Sequence, residues 1–445
     1  MAGLVQIRST IAPADAEGRY RSVRRAVGWV LIAFFALVPF LSFRGLPLAR
    51  FDVPRRRLVV LGEIFTPHDT WALALLILTA ALSLFLLTAL LGRVWCGWAC
   101  PQTVWLEWIY RPIDRWFEGT PNKRRRRDAG PNDRTWWRIK LTKHLAFLVV
   151  TGTATFVFMS WFVGGREILS GELKSTGWGV AAFLFAVFHA DGVWFREQMC
   201  HYACPYARFQ GALMDTNSLV VAYDRFRGEP RRKGKSPEGG DCIDCGRCAA
   251  VCPMGIDIRE GDQLQCIHCL TCVDACDAVM DKIEKPRGLI RWTTDRDAPA
   301  RPGEHIPVFG KRARVYSVLL VAVLGLLFGG LLERDPVQVA VARVPDAEIF
   351  RELPDGRVTN RFTFHITNRA REGHSFRVDS LDADVEVTVP GAPWAVDMAE
   401  DTRVQGFVTA PRASFDAGRL PVRFVVERDD GLRSEGELTM LGPGG

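Results

Sequence analysis

Five long apolar segments interrupt the polar stretches of this 445-residue chain. They cover roughly residues 26–43, 71–91, 144–163, 178–195 and 315–332. Each is long enough to cross the hydrocarbon core of a bilayer as an α-helix. The fourth carries His189 and Asp191 near its end, and polar side chains at that depth usually face protein or water. The pattern therefore predicts a multidomain membrane protein with an α-helical transmembrane bundle of five spans.

The region after the fifth apolar segment alternates apolar and polar residues instead. The apolar positions recur every second residue in three places: Phe362, Phe364 and Ile366; Val385, Val387 and Val389; Val422, Phe424 and Val426. Clusters of Pro, Gly and Asp separate these stretches at short intervals. This period of two predicts a small β-sandwich of about 100 residues. Because it contains no catalytic constellation, a docking or assembly role is expected for it.

The distribution of positive charge predicts an orientation in the membrane. The formal net charge is +7, and basic residues concentrate in residues 1–25, 92–141 and 196–314, including the runs 123–127 and 231–235. Because cytoplasmic loops are enriched in Lys and Arg, these three regions are expected in the cytoplasm and the C-terminus outside. Arg55, Arg56 and Arg57 in the first outside loop oppose this orientation. Basic runs that directly flank apolar spans favour membrane orientation over nucleic-acid binding.

Eight of the twelve cysteines fall in two runs. The first run is C-x2-C-x2-C-x3-C-P and the second has the same cysteine spacing but ends in Asp277: Cys242, Cys245, Cys248 and Cys252; Cys266, Cys269, Cys272 and Cys276. In two-cluster ferredoxins the fourth cysteine of each run binds the other cluster. The expected ligand sets are thus Cys242, Cys245, Cys248 and Cys276 for one [4Fe–4S] cluster, and Cys252, Cys266, Cys269 and Cys272 for the second. Zinc is the alternative, since paired C-x2-C units also bind it.

The other four cysteines form two CxxxCP motifs, Cys96–Cys100 and Cys200–Cys204. Each follows a pair of apolar spans, so the chain resembles two parallel repeats with both motifs on one membrane face. Pro101 suits the first turn of a new helix, which would place Cys100 at a helix N-terminus, where a thiolate is favoured. Four soft thiolates suit Cu(I), while zinc, a third iron–sulfur cluster and inert cysteines are the alternatives. Met199 and His201 are further candidate ligands.

These motifs together resemble a known family. The stretches RVWCGWACPQTVWLEW, REQMCHYACPYARFQ, GDCIDCGRCAAVCPMGIDIREG, QCIHCLTCVDACDAVMDKI, PRGLIRWTT and VTNRFTFHITNR look like the FixG/CcoG/RdxA cytochrome c oxidase accessory proteins. The resemblance implies an immunoglobulin-like C-terminal domain and the eight cluster ligands named above. It also implies reduction of Cu(II) to Cu(I) during assembly of a cbb-type oxidase, with Cys96, Cys100, Cys200 and Cys204 as copper candidates. Implied partners are oxidase subunits, copper-transport or assembly proteins and an unidentified electron donor; a homodimer stays open.

The expected organisation follows the chain from end to end. Residues 1–25 form a cytoplasmic segment, 26–225 hold spans one to four with both CxxxCP motifs, and 226–313 form a cytoplasmic ferredoxin-type domain with two [4Fe–4S] clusters. Residues 314–333 form span five and 334–445 a periplasmic immunoglobulin-like domain, all at the bacterial inner membrane. Two other functions stay open: a quinol-linked membrane ferredoxin, and a non-enzymatic scaffold for oxidase assembly.

Overall fold

The computed structural model describes residues 11–43, 45–53, 57–66, 69–232, 239–294, 309–333, 337–344, 348–370, 372–397 and 400–443. Arg55, Arg56 and the end of the basic run 231–235 lie outside these ranges. The chain divides into two compact units, Met1–Phe328 and Gly329–Gly445.

Five helices of the described residues are long and apolar enough to cross a membrane, which confirms the predicted bundle. Their α-helical bounds are Arg19–Leu37, Thr70–Leu91, Arg134–Ser160, Ser175–Ala190 and Lys311–Leu332; we call them spans 1 to 5. A 3₁₀ turn continues the first to Phe40, and a π turn continues the fourth to Phe195. Spans 1 and 3 begin seven and ten residues before their apolar segments. Polar residues extend span 3 because Asp133 caps it, accepting a hydrogen bond from the Trp136 backbone N–H at 2.7 Å. Span 1 ends before the predicted limit, since Ser42–Phe43 is a strand.

Shorter helices connect the spans and build the cysteine-rich region. The α-helices are Val94–Trp98, Pro101–Trp105, Arg111–Glu118, Pro121–Asp128, Gly165–Leu169, Pro205–Leu213, Arg225–Gly228, Arg247–Ala250 and Thr271–Lys282. Leu106–Tyr110, Asp191–Phe195 and Met199–Ala203 are π-helical turns, and Val38–Phe40 and Ile258–Glu260 are 3₁₀ turns. All three π turns lie within a few residues of a CxxxCP motif, and such turns often occur at functional sites.

Among the described residues, three small sheets complete the first unit. Ser42–Phe43 pairs with Leu46–Pro47, and Ala49–Asp52, Arg57–Val60 and Glu63–Phe65 form an antiparallel sheet between spans 1 and 2. The third sheet pairs Leu219–Tyr223 with Ile290–Thr294, so its two strands enclose the whole cysteine-rich region in sequence. The sheets before span 2 were not predicted, because their strands are too short to show a period.

The second unit is the expected immunoglobulin-like sandwich. One sheet contains Val337–Arg343, Arg351–Glu352, Arg357–Asn368, Glu386–Thr388 and Asp401–Pro411; the other contains His374–Ser380, Trp394–Val396, Arg419–Arg428 and Arg433–Leu441. Alternate side chains point into the core, where the rings of Phe364 and Phe424 meet edge to face at 5.5 Å. Gly406 faces Phe364, and a Cβ there would lie 2.9 Å from the ring.

Candidate metal centres

The two cysteine runs adopt the same backbone conformation. In the first, Asp244 and Gly246 have φ of 51° and 63°; in the second, His268 and Leu270 at the equivalent positions have φ of 48° and 60°. Gly246 and Leu270 then cap the helices Arg247–Ala250 and Thr271–Lys282. Left-handed residues at alternate positions turn the chain tightly, so that cysteines three apart face one point. The sequence repeat is therefore also a structural repeat.

Each run lines one of two adjacent cavities, with its fourth cysteine lining the other run's cavity. The outer cavity is lined by Cys242, Cys245, Cys248 and Cys276. The inner cavity is lined by Cys252, Cys266, Cys269 and Cys272. Cys248 also lines the inner cavity, so the two cavities share a wall.

Four cysteines around a largely apolar cavity are the donor set that a [4Fe–4S] cubane needs. A cubane holds its thiolates farther apart than a single ion does. In the described parts of the chain, no three His, Cys, Asp or Glu side chains converge on a single-ion site. The residues present therefore fit two cubanes, with the crossed ligand pattern of two-cluster ferredoxins.

The surroundings of the two cavities differ. Cys245 of the outer set is solvent-exposed. Cys266 and Cys269 of the inner set are buried, and burial raises the pKa of the Cys266 and Cys272 thiols. Metal-free thiols there stay protonated, so cluster binding has to displace protons.

The first CxxxCP motif packs directly against the loop of the inner cavity. The Trp98 indole N–H donates to the His268 carbonyl at 3.1 Å, and the Arg93 backbone N–H donates to His268 Nδ1 at 2.9 Å. Gly97 lies so close to the Ile267 carbonyl oxygen that a Cβ could not fit. These contacts bring Cys96 into the same buried cluster as Cys269 and Cys252.

The second motif reaches this apolar cluster as well, through Cys200. Cys100 and Cys204 each precede the proline that opens a helix, as the sequence predicts. The Cys96 thiol donates to Gln210 Oε1 at 3.4 Å. The four thiols interact electrostatically with one another, so the repeat does bring the two motifs together.

Burial opposes the thiolate expected at Cys100 in the metal-free protein. Burial raises the pKa of Cys100, although the backbone N–H groups of Thr103 and Gln102 partly oppose this. Burial likewise raises the pKa of Cys96 and of Cys200 to about 12. The cost of desolvating a thiolate here outweighs the stabilisation that the helix N-terminus would give it, so these thiols are neutral until a cation binds.

The other predicted polar residues lie near the motifs. Asp191 accepts a hydrogen bond from the Gln102 side-chain amide at 3.1 Å, which links span 4 to the first motif. His189 Nδ1 lies 3.3 Å from the Thr151 hydroxyl. His201 Nε2 is buried without a hydrogen-bond partner in the described part of the chain. Met199 is half-buried.

A buried charge network beside the motifs was missed by sequence reasoning. Arg111 pairs with Glu107 and lies 3.7 Å from Glu197, and its Nη2 donates to the Pro253 carbonyl at 2.8 Å. Lys143 pairs with Asp114 and Glu118 at 3.2 and 2.8 Å. The i,i+4 spacing of Glu107 with Arg111 was the available signal. Because Pro253 follows Cys252 and both line the inner cavity, the hydrogen bond from Arg111 fixes the backbone at that side of the cavity.

Three family models match parts of the chain. Residues 195–295 match a 4Fe-4S dicluster domain, residues 73–123 a 4Fe-4S binding domain, and residues 327–443 the IG-like fold at the C-terminal of FixG. The protein RdxA of Cereibacter sphaeroides is 36% identical over 96% of this chain and 95% of its own length. This chain belongs to the FixG/RdxA family.

Two further proteins are similar to this chain, one over most of its length and one over a quarter of it. The nitrogen fixation protein FixG of Rhizobium meliloti is 34% identical over 93% of this chain and 88% of its own length. A solved structure of a FixG-related protein from Vibrio parahaemolyticus covers 24% of this chain and 98% of its own, at 16% identity and a TM-score of 0.22. The likeness to RdxA and FixG over most of the chain, together with the two 4Fe-4S family models and the five apolar helices, makes this chain a FixG/RdxA-like iron–sulfur electron-transfer protein with membrane spans.

Proposed function

We propose that this protein reduces Cu(II) to Cu(I) at the cytoplasmic face of the bacterial inner membrane, for assembly of the copper site of a cbb-type cytochrome c oxidase. When bound, two [4Fe–4S] clusters supply one-electron transfer, and each Cu(II) accepts one electron. The proposed ligands are Cys242, Cys245, Cys248 and Cys276 for the outer cluster, and Cys252, Cys266, Cys269 and Cys272 for the inner one.

One observation carries the proposal: the inner cavity and one thiol from each CxxxCP motif share a single packed cluster of side chains. Cys269 and Cys252 pack with Cys96 and Cys200 around Met254 and Ile267. Because Cys248 lines both cavities, the exposed Cys245 and the inner cysteines border adjoining cavities. Such a contiguous arrangement is what electron transfer from a soluble donor to a membrane-face substrate requires.

The proposed copper site consists of Cys96, Cys100, Cys200 and Cys204. Thiolates are soft ligands that favour Cu(I) over harder cations. Cu(I) is satisfied by two thiolates, so two of these four cysteines are enough to hold it. Because burial raises the pKa of Cys96, Cys100 and Cys200, copper binding to these thiols releases protons.

The proposed orientation depends on the basic loops. With residues 92–141 and 196–314 in the cytoplasm, the cluster domain and the thiols lie inside and the sandwich outside. A reporter fused after Leu441 should then be active in the periplasm, and one inserted at Gly239 only in the cytoplasm. The opposite pattern would show that the arginines at 55–57 dominate insertion. Oxidase subunits and copper-transport or assembly proteins are the proposed partners.

The decisive experiment uses anaerobically reduced, purified full-length protein, Cu(II) and a Cu(I)-specific chelator dye. Cys100→Ser and Cys204→Ser should each lower the copper content and slow Cu(I) formation while leaving the iron content nearly intact. Cluster-ligand variants should retain copper and lose the reduction rate under multiple turnover. His374→Ala, in the sandwich, serves as the control and should change neither. Normal reduction by the Cys100/Cys204 double variant would refute the copper site.

One feature favours the quinol-linked alternative. An open groove beside the second motif is lined by Cys204, Tyr202, Tyr206, Arg208 and Phe209. An aromatic groove with one cationic side chain suits a quinol headgroup. Anaerobic oxidation of a quinol by the purified protein, lost in Tyr206→Ala, would favour this function. Copper reduction without quinol oxidation would exclude it.

A further inference from the structure

The two CxxxCP motifs are preceded by the same unusual backbone turn. Gly92 ends span 2, Arg196 ends the π turn that continues span 4, and each lies four residues before the first cysteine of its motif. Gly92 has φ of 63° and ψ of −136°, and Arg196 has φ of 49° and ψ of −121°. These angles are typical of the first central residue of a type II′ turn, which is usually glycine. The repeat thus includes this turn, with glycine in one copy and arginine in the other.

The glycine of the first turn is required by its neighbours. A Cβ at Gly92 would lie 2.2 Å from the Leu219 carbonyl oxygen and 2.6 Å from His268 Nδ1, so only glycine fits there. His268 belongs to the loop of the inner cavity. The contact with the cluster-binding loop therefore explains the residue in the first turn.

The arginine of the second turn keeps this conformation although its Cβ makes it costly. Arg196 is almost completely buried, with an exposed fraction of 3%. Its Nη1 donates to Asp114 Oδ2 at 2.7 Å, and its Nε donates to the Gly192 carbonyl at 3.1 Å. Residues in strained conformations persist where the surrounding contacts hold them, and they concentrate at functional sites. Here the contacts of the guanidinium group hold the residue.

The contacts of Arg196 join the second motif to the first. Asp114 belongs to the helix Arg111–Glu118, which follows the first motif in the chain. The side-chain amide of Gln102, two residues after Cys100, donates to the Arg196 carbonyl at 2.8 Å. Both the side chain and the carbonyl of Arg196 are therefore bound by residues of the first repeat.

A matching contact runs in the opposite direction. Tyr206 occupies the position in the second motif that Gln102 occupies in the first. Its hydroxyl shares a hydrogen bond of 2.6 Å with the hydroxyl of Thr88, near the end of span 2. The helix after each motif is thus bound to the end of the other repeat's second span. The second repeat adds the ion pair of Arg196, which Gly92 has no side chain to make.

We infer that Arg196 is a positioning residue of the proposed copper site: it fixes the second CxxxCP motif against the first, so that cysteines of both can bind one ion. The Met199 backbone N–H donates to the Arg196 carbonyl at 3.2 Å, so Arg196 sets where the turn that carries Cys200 begins. Ligands that are already in place bind an ion more tightly than ligands that binding must first bring together. The inference rests on the function proposed above, because it concerns the same four thiols.

The test measures the Cu(I) affinity of anaerobic, cluster-loaded full-length variants in competition with a chelator dye. Arg196→Gly removes the side chain but gives the turn the residue that its backbone favours, and Asp114 keeps Lys143 as a partner at 3.2 Å. This variant should bind Cu(I) about tenfold more weakly with unchanged iron content, because residues that orient metal ligands contribute at least that much to affinity. Arg196→Lys, which keeps the charge without the planar fork, should lose less.

A double-mutant cycle separates positioning from a general structural role. In the wild-type background Cys204→Ser should weaken Cu(I) binding. In the Arg196→Gly background it should add little, because the second motif is no longer held beside the first. An undiminished effect of Cys204→Ser in that background would overturn the inference alone. No effect of Cys204→Ser in the wild-type background would refute the copper site, and the inference with it.

Two further variants complete the experiment. Arg50→Gly breaks a 2.6 Å ion pair with Glu167 in the sheet that precedes span 2, and should leave Cu(I) binding unchanged. An equal loss in this control would overturn the inference. Gln102→Met removes the donor to the Arg196 carbonyl and leaves the arginine in place, so weaker Cu(I) binding with full iron content would support it. Loss of iron in Arg196→Gly, with Gln102→Met identical to wild type, would overturn it in favour of a role in folding.

Discussion

The two cysteine runs share a backbone and differ in what surrounds them. Residues 242–248 and 266–272 place left-handed residues at the same positions and open a helix at the same point. The outer run presents Cys245 to solvent, while the inner run packs on Trp98, Gly97 and Arg93. The repeated cysteine pattern thus builds two loops with the same backbone conformation. The residues around the first CxxxCP motif give the inner loop a different electrostatic and steric environment.

The largest difference is expected when each run loses one cysteine. Cys269→Ser should remove about half of the iron and abolish Cu(II) reduction, because the inner cavity contacts the CxxxCP thiols. Cys245→Ser should also lower the iron content but retain single-turnover reduction in chemically reduced protein. Iron analysis and the Cu(I) dye assay measure both. Equal loss of single-turnover reduction in the two variants would contradict an ordered route.

Next in size is the effect of separating the first motif from the inner loop. Gly97→Ala places a Cβ against the Ile267 carbonyl, so one segment must move, at a cost of about 1–3 kcal/mol. We expect slower copper reduction with both clusters still present. Gly211→Ala is the matched control, since its nearest neighbour would be 3.5 Å away. Equal rates in the two variants would show that the close approach has no functional role.

A smaller change is expected from the indole contact. Trp98→Phe removes the donor to the His268 carbonyl and leaves a buried acceptor unpaired, which costs about 1 kcal/mol. Denaturation of the cluster domain, followed by loss of cluster absorbance, should show the inner cluster released first. Simultaneous release of both clusters would mean that the contact does not anchor the inner run separately.

The smallest effect tests the shared backbone itself. Gly246 has φ of 63° with nothing near its missing Cβ, so Gly246→Ala should cost about 1 kcal/mol through backbone strain alone. Loading of the outer cluster should decline slightly, as measured by iron content during thermal denaturation. A destabilisation of several kcal/mol would imply a steric role that the open space around Gly246 does not indicate.

Local patterns in the sequence were enough to predict the spans and the sandwich. The spacing of the cysteines was enough to predict the crossed ligand pattern. Apolar length, period-two alternation and C-x2-C repeats are each features of neighbouring residues, so they can be recognised in a single sequence. The helix ends were less predictable, because span 3 begins directly after the Asp133 cap, before its apolar segment. The burial of Lys143 was not predictable either, because its partners Asp114 and Glu118 lie far away in sequence.

The environment of the candidate site required the three-dimensional structure. In the sequence, Arg24 is one of several basic residues that orient the first span, yet it is almost completely buried. Nothing in the sequence marks Gly97, which lies between two cysteines, as a packing position. Its close approach to Ile267 involves a loop that is distant in sequence. Tertiary contacts of this kind decide which of two similar loops faces the membrane thiols.

The pairing of Leu219–Tyr223 with Ile290–Thr294 has a consequence for biogenesis. The first strand leaves the ribosome before any of the eight cluster cysteines, and the second only after all of them. The two strands can therefore pair only after the last cysteine has been synthesised. We expect cluster insertion to be post-translational with respect to this segment, so that chains arrested before Ile290 would leave their cysteines accessible to the insertion machinery and to oxidants alike.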